Sequence, residues 1–260
     1  MSLRASKLLP ALLLVIALPA SAGQFGLSLE ALYASAYIWR GVELDSGRSL
    51  QPGVTLAWNP SERVGFDANV WWNLPQTEPE PGHKDALYER DLTVKGRFAP
   101  GKGWELALGW IEYRNPKAPR LATGERPSTQ EVFLAASRKG KLATHTLSLS
   151  HDFDQYKGSY FDWTSTAVVP LGKWMDLESS LHLGAAHGLN PNPSRPAEGS
   201  YYDKNGLVDG AVGAALVSNL TARLSLRVCG TWVIRFDNDL AFGGKDRSTT
   251  WSGINLAWSR

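Results

Sequence analysis

Leu27-Ser28-Leu29-Glu30-Ala31-Leu32-Tyr33-Ala34-Ser35-Ala36-Tyr37-Ile38-Trp39-Arg40-Gly41, read with the return segment Leu50 to Trp58, decides the fold class. Leu27, Leu29, Ala31, Tyr33, Ser35, Tyr37 and Trp39 share one parity. Ser28, Glu30, Ala34, Ala36 and Arg40 share the other, together with Leu32 and Ile38. A period of two belongs to an extended strand with one greasy and one mixed face. The run outlasts an ordinary strand of about five or six residues, and it ends on two aromatics, an arginine and a glycine. A strand of roughly nine to eleven residues, apolar on one side and aromatic at its end, suits the wall of a membrane-spanning barrel.

Residues 1–22 read as a secretory signal: Arg4 and Lys7 form a basic start, Leu8 to Leu18 a short apolar core, and Ala20-Ser21-Ala22 a small-residue cleavage site. The formal net charge of +2 loses Arg4 and Lys7 with this leader and becomes zero, which gives no indication of a nucleic-acid partner. Beyond the leader no apolar run is long enough for a helical membrane span. Cys229 is the single cysteine, so no internal disulfide can form. The 11 tryptophans and 8 tyrosines all lie after the leader, in residues 23–260, which are expected to form one barrel domain.

The alternation recurs along the whole chain. Val64 to Trp72, Tyr88 to Phe98, Trp104 to Trp110, Val132 to Ala136, His145 to Leu149, Phe161 to Val169, Leu177 to Ala185, Gly210 to Leu216, Leu224 to Trp232 and Ile254 to Trp258 each set apolar residues against polar or small ones. With the first two segments this predicts an all-β, antiparallel up-and-down transmembrane barrel of about twelve strands. Short turns such as Asn59 to Arg63 and Pro100 to Gly103 alternate with long polar loops at 75–85, 115–128, 187–204 and 236–247. Outer-membrane barrels show this asymmetry between their two ends. A soluble β-sandwich or lipocalin-type barrel would also alternate. It would have to bury Gly, Ser, Thr, Asn, Asp and Arg on its inner face, at a cost unless every group were paired.

Catalytic patterns are sparse. None of His83, His145, His151, His182 or His187 has a serine two residues later on its own strand face, although a pair drawn from different strands stays open. Glu78, Glu80, His83 and Asp85 share one loop, and Asp152-Phe153-Asp154 and Asp237-Asn238-Asp239 could chelate a cation, but none matches a ligand spacing. No metal, cofactor or catalysis is expected. The inward parity carries the remaining signal: Lys95, Arg97, Arg223, Arg227 and Arg235 against Glu30, Asp67, Glu89, Asp91, Glu105, Glu131 and Glu178. These charges read either as opposed walls of a water-filled pore or as pairs that plug a narrow lumen.

Ser35-Ala36-Tyr37-Ile38-Trp39-Arg40-Gly41, followed by Gln51-Pro52-Gly53, resembles the opening strand and return strand of the TorF-like family of porins. The resemblance implies an outer-membrane barrel that passes small solutes. The combined expectation is a porin-like channel for small polar or charged solutes, in contact with outer-membrane lipid and the barrel-assembly machinery. Its alternatives are a non-conducting barrel that presents loops 75–85 and 187–204, and a lipase- or protease-type barrel enzyme. The expected rim and lining residues are Arg40, Glu30, Asp67, Arg97, Glu105, Arg223, Arg227 and Arg235. Tyr33, Tyr37, Trp39, Trp58, Trp72, Trp104, Trp110 and Trp258 are expected to form aromatic girdles at the two membrane interfaces. Within the first segment, Leu27 to Gly41 is expected to run as one strand, with Tyr37 and Trp39 facing lipid and Arg40 turning inward at the mouth. The chain ends Trp258-Ser259-Arg260, so the last strand is expected to use Trp258 as its assembly aromatic in a shifted register.

Overall fold

The computed structural model describes residues 23–77, 88–115, 128–189, 202, 204–236 and 247–260. The leader, the carboxylates and histidine of loop 78–87, the long loop at 190–201 and Asp237-Asn238-Asp239 lie outside the described residues.

The strands in chain order are β1 (Gln24–Ala34), β2 (Tyr37–Trp39), β3 (Val42–Asp45), β4 (Ser49–Asn59), β5 (Val64–Pro75), β6 (Glu89–Gly101), β7 (Trp104–Arg114), β8 (Ser128–Lys139), β9 (Ala143–Asp152), β10 (Ser159–Pro170), β11 (Met175–His187), β12 (Gly206–Asn219), β13 (Leu224–Arg235) and β14 (Ser248–Ser259). All but β2 and β3 form one closed antiparallel barrel of twelve strands, each hydrogen-bonded to its neighbours in the chain. The seam closes where β1 meets β14, from Ser28↔Ser259 to Ala34↔Gly253. Beyond it, Leu27 and Arg260 exchange two backbone hydrogen bonds of 3.0 and 2.9 Å. The last two residues thus continue the final strand, and Trp258 sits one register step inside it, opposite Leu29. Closure pairs the ladder all the way round, which a backbone in hydrocarbon requires.

The outer parity is apolar on every strand. Phe25, Leu29, Leu56, Phe66, Val94, Leu106, Leu108, Leu134, Leu147, Phe161, Leu183, Val228 and Ile254 are all exposed, Leu108 by 65%. An apolar belt that encircles the molecule far exceeds the few hundred Å² that soluble monomers expose, and it marks the wall as membrane-spanning. At the end of the short turns, Trp58 stacks between Phe25 and Phe66 with ring centroids 6.4 and 5.4 Å away. Trp104 lies at the same end under the Arg138 guanidinium, 5.3 Å from the ring centroid. Tyr33, Trp72, Trp110 and Trp258 also occupy the outward parity, and the Trp110 indole donates to Gln130 Oε1 at 3.2 Å.

The expectation for the first segment fails past Ala34. The wall strand stops there, and Ser35 is held by its N–H donating to Ser252 O at 2.8 Å, with Ser35 Oγ accepting from Ser252 N–H at 2.9 Å. The chain then turns into the bore. Tyr37 is 7% exposed and lies against the inward Trp71, with ring centroids 5.4 Å apart. Trp39 meets the inward Tyr113 edge-on at 5.7 Å. Neither ring is part of an interface girdle: parity continued, but the strand it belonged to had ended.

Leu108→Arg, which puts a guanidinium at mid-height on the outer face, is expected to cost about 2–4 kcal/mol. Equilibrium urea unfolding from lipid vesicles measures this, with heat-modifiable gel mobility confirming that the barrel folds.

Candidate lumen constriction

The inserted hairpin is built by two residues. Trp39 pairs with Val42, leaving Arg40 and Gly41 as a two-residue turn. Both have positive φ, 48° and 76°. That is the type I′ geometry, whose twist matches the flanking strands. Glycine is needed at the second position for a further reason, since a Cβ on Gly41 would run into the Asp209 side chain. Arg40 carries the strain of the left-handed region, about 1–2 kcal/mol for a residue with a Cβ, and its contacts offset that cost.

Arg40 makes a bidentate pair with Glu131 of β8, both nitrogen–oxygen distances 2.7 Å. Its side chain is 12% exposed and that of Glu131 4%. The guanidinium carbon also lies 4.3 Å from the centroid of the Trp39 ring and 4.5 Å from that of Tyr160. Burial works against the charge on Arg40, but the electrostatic influence of Tyr113 and Glu131, with the Glu131 hydrogen bonds, more than reverses this, so its pKa moves up. Tyr113 Oη donates to Glu131 Oε2 at 3.2 Å.

The wall also takes up the carbonyls at the turn. Tyr202 Oη donates to Arg40 O at 2.9 Å, and Arg235 Nε to Gly41 O at 2.8 Å. Arg235 reaches on to Glu43 Oε2 at 3.2 Å. Val42 completes a buried apolar cluster with Tyr160, Ala186, Leu189, Tyr202 and Val208. The hairpin is therefore fastened on one side to β5 and β7 and on the other to β8, β10 and β13. It crosses the bore at the end of the long loops.

Behind it lies a second polar knot. His182 Nδ1 is 2.9 Å from Asp162 Oδ2 and its Nε2 2.8 Å from Asp209 Oδ2. A carboxylate only accepts, so with both ionised the two ring nitrogens both donate and the ring is an imidazolium. Tyr160 Oη donates to Asp209 Oδ1 at 2.7 Å. A Cβ on Gly184 would collide with the Tyr160 hydroxyl, so glycine leaves the room in which this bond forms.

The rest of the predicted lining sits lower, and its charges pair along the wall rather than across the bore. Arg97 bonds Asp67 of the adjacent strand at 2.8 Å and approaches Glu105 of the other neighbour at 3.7 Å. Lys95 is 3.6 Å from Asp67. Arg227 reaches Glu178, two strands away, at 3.0 Å. Glu30 and Arg223 line one recess of about 300 Å³ at the turn end, beside the seam. Of the expected opposition, Arg97 meets Asp67 and Glu105 on the two adjoining strands, Arg227 meets Glu178 instead, and Glu30 and Arg223 share the recess. The lower bore is solvated, with the side chains of Arg97, Glu105 and Arg227 exposed by 27, 46 and 41%.

Two further candidates from the sequence have defined partners. Asp152 closes the short link 153–158: its Oδ1 accepts from the N–H groups of Asp154, Tyr156 and Lys157 and its Oδ2 from Thr129 Oγ1. A pair from different strands does exist on the outer face, where His151 Nδ1 lies 2.9 Å from Ser159 Oγ. Among the described residues no carboxylate bonds His151, and no three Asp, Glu, His or Cys side chains gather to hold a metal.

Sequence reasoning placed Arg40, Glu131 and Arg235 on the inward side but missed their union. It also missed Trp71, Tyr113, Tyr160, Tyr202, His182 and Asp209 as partners. The available signal was aromatic or ionisable residues on the inward parity near the loop ends.

No family model and no curated protein matches the chain. Among solved structures, the COG4313 outer membrane channel from Pseudomonas putida F1 is similar over 94% of this chain and 97% of its own, with 10% identity and a TM-score of 0.56. A protein from a study of in-meso crystallisation of membrane proteins is similar over 91% of this chain and 84% of its own, at 9% identity and a TM-score of 0.54. The NanC porin is similar over 89% and 98%, at 10% identity and 0.49. At these identities the likeness of the first two establishes the fold alone, a closed antiparallel β-barrel.

Arg40→Ala leaves the Glu131 carboxylate buried without its cation, a loss of about 3–5 kcal/mol if the hairpin stays in place. Swinging the hairpin out caps that loss. The expected outcome is a folded barrel, judged by gel mobility, that is cut by protease within 37–45 where the parent is not. Glu131→Gln added to Arg40→Ala is expected to restore part of the protection.

Proposed function

We propose that the chain is an outer-membrane, porin-like channel for small polar or charged solutes, with the inserted hairpin as its constriction. The observation that carries this reading is the division of the bore. A hairpin locked by the Arg40–Glu131 pair crosses one end, while the other half is solvated and lined with charges. A wall that only had to stand in lipid would need neither a water-facing lining nor a purpose-built strap. The export-type leader at 1–22, the apolar belt, and short turns opposite long loops support the outer membrane, with the hairpin end facing outward. The resemblance to TorF-like porins agrees with this. Trp258 in the closing strand suits recognition by the barrel-assembly machinery.

A second reading, catalysis at the lipid face, has one observation in its favour: the His151–Ser159 pair. Among the described residues no carboxylate bonds this histidine, and we propose no enzymatic role. Equal lipid hydrolysis by refolded parent and Ser159→Ala, at the level of buffer, is the expected result.

Planar-bilayer recording tests the channel. The parent protein is expected to give small, steady conductance steps. Arg40→Ala and Gly41→Val, which unlock or distort the hairpin, are expected to give steps larger by about twofold or more, or unsteady ones. No channel events from parent or variants, all folded by gel mobility, would replace this reading with that of a non-conducting barrel.

A further inference from the structure

The hairpin's own guanidinium shows what this bore can hold. Arg40 sits in a cage made of one carboxylate, Glu131, and aromatic rings, Trp39 and Tyr160. Beside it acids and aromatic rings gather again, and among the described residues no cation pairs with these acids. Asp91 points inward from β6, and register places it between Trp71 on one neighbouring strand and Tyr113 on the other. Tyr37, tilted on Trp71, adds a further wall and hydrogen-bonds Glu89.

Asp91 is 8% exposed, and its Oδ1 is buried with no hydrogen-bond partner. Glu89 Oε2 is buried and unpartnered in the same way. The charges that Asp91 feels most are those of Glu89 and Glu131, both acids. Arg40 turns its paired nitrogens to Glu131, and among the described residues no hydrogen bond or ion pair joins it to Asp91 or Glu89. Burying a carboxylate without a partner is costly, and such a group is neutralised or paired. The walls choose the partner: aromatic faces attract organic cations, and the carboxylate oxygens accept N–H donors.

We infer that Asp91 and Glu89, walled by Trp71, Tyr113 and Tyr37, form a binding site in the constriction for an ammonium- or guanidinium-bearing solute. This deepens the channel reading by naming the class of solute, and rests on it only for how the solute arrives. The site selects positive charge beside the strap that a solute must pass.

The test is titration of the folded protein in detergent at fixed ionic strength. Methylguanidinium chloride and ethylammonium chloride are the probes, urea the uncharged analogue and calcium chloride the inorganic cation. Tryptophan fluorescence and calorimetry supply the readout. Saturable binding of at least one organic probe is expected, with none of urea, and Asp91→Asn or Glu89→Gln should weaken it by about tenfold. Both variants should melt at the parent's temperature or above, because each removes a buried charge that no described residue pairs. Absence of binding, equal binding by Asp91→Asn, tighter binding of calcium, or a lowered melting temperature in both variants overturns the proposal. Bilayer recording separates it from the reading beneath. Saturable binding in a barrel without channel events keeps the site and removes the passage. Channel events indifferent to both probes and to Asp91→Asn keep the passage and remove the site.

Discussion

A buried, bidentate ion pair between Arg40 and Glu131 holds together what is distinctive about this molecule. Neither charge could remain in the bore alone, since desolvating an unpaired ion costs several kcal/mol. Together they are tolerated because both terminal guanidinium nitrogens find an oxygen and aromatic rings lie over the guanidinium. The pair fixes where the turn sits, and the turn fixes the strap. The Arg40 and Gly41 carbonyls then fall in reach of Tyr202 and Arg235, and Val42 falls into the apolar cluster. Arg40 endures a left-handed backbone because its side chain is so well held.

The barrel around it follows from a different constraint. Hydrocarbon outside demands apolar residues on every second position and a ladder without free edges. Those demands leave the inner face free to vary. Near the turns it is wet and its charges pair with neighbours. Near the loops it is crowded, with buried Asp209 and Arg235 side chains packed against the hairpin. One wall thus serves one solvent outside and two environments within.

The wall was legible in the sequence because lipid imposes the same period on all twelve strands. Leu106, Leu108 and Trp110, or Leu224, Leu226 and Val228, can be read without knowing their neighbours. The strand count and the contrast between the two ends followed from that. The strap was not legible, because Tyr37 and Trp39 keep the parity of the strand before them. Only Ser35-Ala36, small and polar in mid-run, and the Arg40-Gly41 turn signalled a change. The charge pairs were hidden for another reason. Seeing that Arg97 meets Asp67, or that Asp91 stands between Trp71 and Tyr113, requires the register of three strands at once, and parity alone does not give it.

The strap also has a consequence for the order in which the molecule is made. Arg40 meets Glu131 across a separation of 91 residues, and Gly41 meets Arg235 across 194. Contacts so distant in the chain form late, after the loop-closure entropy between them has been spent. The hairpin is synthesised early yet finds its sockets only once β8 to β13 stand in place. Docking therefore reports a completed cylinder: a barrel with a missing or misregistered late strand leaves its N-terminal strap loose and open to degradation.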